Sequence, residues 1–389
     1  MMSNVYIAGM GATVVGEHYQ RSLADLASEA ARAALMSASG IAPHHIGALY
    51  VGSAFSEELY GQSQLGAYLA SMLGLSPSIP ALRVEAAGAS GALALYQAVQ
   101  AVQHGLPVAL VIGVEKVTDH LEDEIEAAQA MATDSNEEAL HGVTLTAQWA
   151  MLMRRYMYEY GYSADAFAPF PINAHTNGAK NPLALYRFPI DAGKYRKAAQ
   201  IASPINMLDC STLADGAAAL LIVNENLARE LDGVRIRIAG AAVATDHPAL
   251  HRRRNPLDLS AARASAHIAL GRAHLGVGDV NVWELTDPHG IAATLALEAI
   301  GCYETGTAPR HAAEGAITPG GKTPIATAGG YKARGDVGGA TGIYQVIEIA
   351  QQLRGQAGAT QVTNARVGFA QSLGGIGTTA VSHVLIRES

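Results

Sequence analysis

The stretch "VEAAGASGAL" (Val84–Leu93) decides the fold. Its apolar start reads as the end of a strand and its Ala-Gly centre as a tight turn. The continuation "ALYQAVQAVQHGLP" reads as a helix that stops at Gly105. A strand–turn–helix junction is a common seat for a nucleophile in α/β proteins. Here the seat is Gly88, which has no side chain.

The pattern recurs. Gly88-Ala89-Ser90-Gly91 and Gly339-Ala340-Thr341-Gly342 share G-A-[ST]-G, and each opens a helix ending in glycine, Gly105 or Gly355. "VYIAGMGAT" and "VRIRIAGAAVA" read as matching first strands of two halves, and "IGALYVGSA", "PVALVIGVEKV" and "VNVWELTD" as further strands. "SLADLASEAARAALMSAS" reads as a helix capped by Ser22, and "SAARASAHIALGRAHLG" as its counterpart. Alternating strands and helices predict an α/β protein with a parallel or mixed sheet, crossover helices and an internal duplication.

The boundaries follow from where the rhythm breaks. Residues 1–117 read as the first part of the N-terminal half, 118–205 as an insertion, 206–232 as the completion of that half and 233–389 as the C-terminal half. The insertion opens with "LEDEIEAAQAMATDSNEEAL", which has no Lys or Arg, and continues with the Met- and Tyr-rich "TAQWAMLMRRYMYEYG". It ends in a basic run, Lys180, Arg187, Lys194, Arg196 and Lys197, against the single acid Asp191. An insertion of this length between strands implies a functional subdomain.

Composition narrows the function. The chain is 49% hydrophobic and 15% charged, as in a packed soluble enzyme. A net charge of −8 argues against nucleic acid, and no apolar run reaches membrane-spanning length. The first residues enter a strand without a basic, then apolar leader, and Cys210 and Cys302 are far apart. A reducing cytoplasm is therefore expected, with both thiols buried and structural. "GMGATVVG" is rejected as a dinucleotide loop because its helix starts too late, at Ser22. "HPALH" is rejected as a metal pair because Pro248 breaks the helix, and no metal site is expected.

Taken together, the motifs resemble those of the thiolase superfamily, most closely the sterol-carrier-protein-type and archaeal thiolases, over essentially the whole chain. "VEAAGASG" stands where those proteins have V-E-x-A-C-A-S-G, and "NAHTNGAKNP" is similar to their H-x-N-x-x-x-N-P. "WELTDPHG" resembles E-x-H-D-x-F, and "TPGGKTPIATAGGYKARGDVGGATG" their long glycine-rich segment ending G-H-P-x-G-A-T-G. "QSLGGIG" resembles the final glycine loop. The resemblance implies two βαβαβαββ halves in five layers, α-β-α-β-α, with a loop-domain insertion. It also implies a homodimer formed through the sheet edge near "VEAAGASG".

By the same resemblance the acylated cysteine falls on Gly88, the two histidines on Thr286 and Asp336, and a further cysteine or asparagine on Ser372. Gly88 cannot form an acyl-enzyme. The backbone N–H of Gly88, with Gly374, is left as an oxyanion hole. Asp287, His289, Asp336 and Tyr331 are candidate acids, bases or oxyanion holders. Each has a plainer alternative: a structural Asp, a helix-capping or core His, a cap at Gly339, an edge packing residue. Ser90 reads as structural. The Met-Tyr helix reads as a tunnel wall or a core helix, and the basic run as a coenzyme A phosphate site or a solvated face.

The expected activity is carbon–carbon bond cleavage or formation at an acyl-CoA thioester, such as a retro-aldol step. No cofactor is expected beyond the coenzyme A of the substrate. The resemblance extends to thiolase-like aldolases related to steroid side-chain breakdown, which implies a small zinc-ribbon and OB-fold partner. The alternative is an inactive thiolase-like subunit that supplies structure or a channel within a complex.

Overall fold

The computed structural model describes residues 3–38 and 40–388. Met1 and Met2 of the first segment, Ser39 at the end of the expected first helix and the terminal Ser389 lie outside the described residues.

Among the described residues eleven strands form: β1 (Val5–Ala12), β2 (Ala48–Gly52), β3 (Ala81–Val84), β4 (Val108–Glu115), β5 (Gln200–Ala202), β6 (Ile205–Asn206), β7 (Gly216–Asn224), β8 (Arg235–Thr245), β9 (Val282–Leu285), β10 (Val367–Gly374) and β11 (Thr379–Glu388). Nine of them pair in the order β3-β2-β4-β7-β1-β8-β11-β10-β9, while β5 and β6 form a separate ribbon. The duplication is visible in this order. Outward from the centre the first half runs β1, β7, β4, β2 and the second β8, β11, β10, β9, with the same parallel and antiparallel senses. The halves join where β1 meets β8, at Val5–Ile7 against Ile236–Ile238. The counterpart of β3 in the second half shrinks to one parallel bridge, Trp283 to Ile325.

Side-chain alternation along the strands builds three cores. On β4, Leu110 and Ile112 face the helix Leu23–Met36, which supplies Leu26, Ala27, Ala30 and Ala34. Ala109 and Val111 face the other way, onto the helices Ser90–Gln103 and Thr341–Arg354. In the second half Trp283, Leu285 and Phe369 pack outward on the helices Ser260–Ala273 and Gly290–Ile300. The result is helix, one half of the sheet, paired central helices, the other half of the sheet, helices: the five layers that the family resemblance implies. Between β4 and β7, residues 118–205 add helices and β5 but no strand of the large sheet. Among the described residues no helix is long and apolar enough to cross a membrane.

The two central helices meet at their starts. A Cβ on Gly91 would lie 2.6 Å from the Gly339 carbonyl oxygen, and one on Gly342 2.8 Å from the Ala92 amide nitrogen. Only glycine permits this backbone-to-backbone approach. Gly91→Ala should therefore cost about 1–3 kcal/mol through overpacking. Gly271→Ala, on the helix Ser260–Ala273 with nothing within 4 Å, should be neutral or stabilising. Thermal denaturation of the two variants checks this; equal melting temperatures would show that the junction can spread at no cost.

Candidate active site

The C-terminal ends of β2, β3, β4, β9 and β10 open onto one cleft of about 470 Å³. Gly88, Thr286, His289, Tyr331 and Asp336, distant in sequence, all line it. The insertion lines it through Glu122, Ile125, Glu126, Leu145, Trp149 and Ile201, and Met207 follows just after the insertion.

At the Gly88 seat a Cβ would meet one atom, the Leu373 carbonyl oxygen at 3.0 Å. Gly374 packs against the same turn, since its own Cβ would lie 2.3 Å from the Ala86 oxygen. The two glycine segments are therefore neighbours, with Leu373 and Gly375 on the cleft wall. Ser90 is structural: its hydroxyl accepts from Ala86 N at 2.9 Å and donates to Ala87 O at 2.6 Å.

Thr286 is a joint. Its hydroxyl accepts from Leu373 N at 2.8 Å and lies 3.2 Å from the Tyr331 hydroxyl. Burial pushes the Tyr331 phenol well above its usual range, so it stays protonated and can donate. Tyr331 is buried and lines the cleft.

His289 is buried at the N-cap of the helix Gly290–Ile300. Its Nδ1 lies 3.2 Å from the Asp209 carbonyl oxygen. A carbonyl only accepts, so Nδ1 carries the proton and Nε2 keeps its lone pair. Burial above all, helped by the nearby Lys332 cation and opposed by the Asp209 hydrogen bond, brings the imidazole down to about 4, so the ring is neutral at physiological pH. A neutral imidazole with a free Nε2 can act as a base.

Asp336 does two things. Oδ1 accepts from Gly338 N at 3.0 Å and so caps the turn that opens the second central helix. Oδ2 lies 3.4 Å from the Ser211 hydroxyl, a cleft residue. Burial raises its carboxyl to about 6, against the pull of the Gly338 hydrogen bond and of Arg334.

Other expected site residues lie elsewhere. Asp287 turns away from the cleft: Oδ1 accepts from Tyr331 N at 2.8 Å, and the carboxylate sits against Gly330. It holds the loop that carries Tyr331. Ser372 points into the interior and donates to Gln345 Oε1 at 2.6 Å, because its neighbour Leu373 takes the cleft side of β10. Lys180, Arg187, Lys194, Arg196 and Lys197 are exposed and none lines the cleft; Arg196 pairs with Asp165 at 3.5 Å. The Met-Tyr helix buries one face, through Trp149, Leu152, Met153 and Tyr156, and only its first turns, Leu145, Thr146 and Trp149, line the cleft. His175 is buried, with Nδ1 on the Phe188 carbonyl oxygen.

Two residues escaped the sequence reading, and a third, Cys210, was placed otherwise. Cys210, expected to be buried and structural, is half-buried on the cleft wall, and burial pushes its thiol up to about 12. Lys332, in "GGYKARGD", is buried beneath that wall. Glu115 ends the apolar β4 and accepts from Ser53 Oγ, Ala54 N, Phe55 N and Gly339 N at 2.8–3.0 Å. A lone carboxylate closing a fully apolar strand was the signal available for it.

The fold agrees with that of known proteins. Residues 5–189 match the thiolase N-terminal domain and residues 242–387 the thiolase C-terminal domain-like family. The acetyl-CoA acetyltransferase of Methanothermobacter thermautotrophicus is 36% identical over 387 residues, covering 99% of this chain and all of the relative. The benzoylsuccinyl-CoA thiolase subunit BbsB of Thauera aromatica is 32% identical over 92% of this chain and 91% of its own. A solved structure titled Ltp2-ChsH2(DUF35) aldolase shares the fold with a TM-score of 0.82 at 24% identity, over 98% of this chain and 97% of that one. The chain belongs to the thiolase family.

The raised Asp336 carboxyl has a measurable consequence. The folded protein holds this proton up to about pH 6, whereas the unfolded chain releases it near 3.8. Wild-type stability therefore falls as pH rises through that window. Asp336→Asn does not titrate, so its melting temperature relative to wild type should climb between about pH 4 and about pH 6 and then level off. Paired melting curves across pH check this. A relative stability that moved the other way would mean that Asp336 is held as a carboxylate.

Proposed function

We propose that this protein binds an acyl-CoA thioester in the cleft and makes or breaks a carbon–carbon bond without an acyl-cysteine. The observation that carries the reading is the neutral His289, with Nδ1–H fixed on the Asp209 carbonyl, in the same cleft as a Gly88 that has no side chain. The acyl-CoA names of the two sequence relatives support the substrate class, and the aldolase title of the structural neighbour supports the reaction class.

In the retro-aldol direction His289 Nε2 takes the proton of a β-hydroxyl. The oxygen's electron pair forms the new carbonyl, and the Cα–Cβ bond breaks. Its electrons pass into the thioester as an enolate. Tyr331 donates a hydrogen bond to the enolate oxygen, and the first-turn N–H at Gly88, with Gly374 beside it, supplies oxyanion support. The imidazolium then returns the proton to Cα, leaving a shortened acyl-CoA and a carbonyl compound. A small partner chain is part of the same reading, because the structural neighbour's title joins two components.

The test is turnover of β-hydroxyacyl-CoA thioesters by wild type and His289→Ala, with intact-mass spectrometry alongside. Wild type should cleave at least one such thioester and show no acyl adduct. The His289→Ala rate should fall by about a hundred- to ten-thousand-fold, the usual worth of general acid–base catalysis. A stoichiometric adduct on Cys210, Cys302 or Ser90 would restore covalent catalysis. No turnover with any β-hydroxy- or β-ketoacyl-CoA, partner included, would favour the inactive-subunit reading.

The coenzyme A phosphates are assigned to the exposed basic run. Changing Arg187, Lys194 and Arg196 together to Glu should weaken acyl-CoA binding in calorimetry and flatten its dependence on salt. An unchanged affinity would place the phosphates elsewhere.

A further inference from the structure

The turn Met207–Cys210 carries three backbone carbonyls that serve the two basic groups beside the cleft. Lys332 Nζ hydrogen-bonds to the Met207 oxygen at 3.3 Å and to the Cys210 oxygen. The carbonyl between them, that of Asp209, accepts from His289 Nδ1 at 3.2 Å. The Asp209 carboxylate also grips the helix below, accepting from Gly290 N at 2.9 Å, while its Oδ2 is buried without a hydrogen-bond partner. Lys332 is 5% exposed, so its ammonium is held by these carbonyls rather than by water.

We propose that Lys332 is a positioning residue for His289: its ammonium ties down the two outer carbonyls of the Met207–Cys210 turn, so that the middle one holds the imidazole in its Nδ1–H tautomer. This rests on the reading of His289 as the base. The Lys332 cation acts on the ring directly as well, since a neighbouring positive charge disfavours the imidazolium. The other charged or titratable groups facing this ammonium are Asp209 and Cys210 on the turn and His175 on the helix Pro169–Gly178, with the Tyr186 ring 5.8 Å away. Burial brings Lys332 itself down to about 8, so its grip on the turn weakens in mildly alkaline solution.

The experiment uses the full chain labelled with ¹⁵N-histidine, with the His289 signals identified by their loss in His289→Asn. In wild type the ring should keep the Nδ1–H, bare-Nε2 pattern from about pH 5 to about pH 8. In Lys332→Met the ring should take up a proton at higher pH than in wild type, or average between tautomers. Lys332→Arg keeps the charge and should restore the wild-type pattern. Turnover should follow: Lys332→Met lowers kcat by about tenfold or more with KM little changed, and moves the acid limb of kcat/KM to higher pH. If Lys332→Met does not fold, Lys332→Gln, which keeps an N–H donor without the charge, is read in its place.

A wild-type ring pattern and pH response in both neutral variants would overturn the proposal. His289→Ala with full activity would instead overturn the assignment of the base, and the ring spectra would still decide whether Lys332 governs the tautomer.

Discussion

The backbone contact between the two glycine turns is the constraint on which the rest depends. Gly91 lies against the Gly339 carbonyl, and a Cβ on Gly113 would meet Ala340 Cα at 2.8 Å. The two central helices therefore start from one point, and the strands that feed them end around it. Glu115 fastens this arrangement by accepting from the Gly339 amide on one side and from the loop after β2 on the other. Two halves that could each have carried a separate pocket share one cleft for this reason. Its floor combines Gly88 from the first half with Thr286, Tyr331 and Asp336 from the second.

Burial then divides the titratable groups around that floor. The same loss of water raises Asp336 to about 6, Asp209 to about 6 and Glu115 to about 7, and lowers His289 to about 4. Carboxyls are pushed toward the acid form and the imidazole toward the base form, the division that acid–base chemistry near neutrality needs. Behind the cleft, Arg334 pairs with Glu348 at 2.8 Å and lies over the Tyr331 and Tyr344 rings at 5.9 and 5.1 Å. A buried pair of this kind adds little net stability. Removing either partner would leave a lone charge behind Tyr331.

The fold was legible in the sequence because glycine is irreplaceable where backbones touch. The repeated G-A-[ST]-G marked both contact points, and the strand order carries the same duplication. Thr286 and His289 were legible because they follow the end of β9, and Tyr331 and Asp336 because they lie in the glycine-rich segment that precedes the second central helix. Side-chain direction was not. Asp287 and Ser372 each sit one residue from a cleft residue, and in extended chain one residue reverses the face. Lys332 and Cys210 were hidden for a different reason. Their place depends on a turn at 207–210 packing beneath a loop more than a hundred residues away, which no local pattern encodes.

The empty seat can now be understood in terms of the turn that holds it. The residue in the left-handed region is Ala87, with φ of 49°, not Gly88. A non-glycine residue there carries strain of roughly 1–3 kcal/mol and persists only when its neighbours over-determine it. They do: Glu85 Oε1 accepts from Ala87 N at 2.6 Å, and Ser90 bonds to both Ala86 N and Ala87 O. None of these bonds involves a side chain at position 88. The turn keeps its shape without a nucleophile, and the absent side chain leaves only the Leu373 carbonyl facing the seat. What Gly88 contributes is therefore space at a helix start, in the cleft that His289 also lines. With no side chain at position 88, that seat itself offers no atom that could bond to an acyl group.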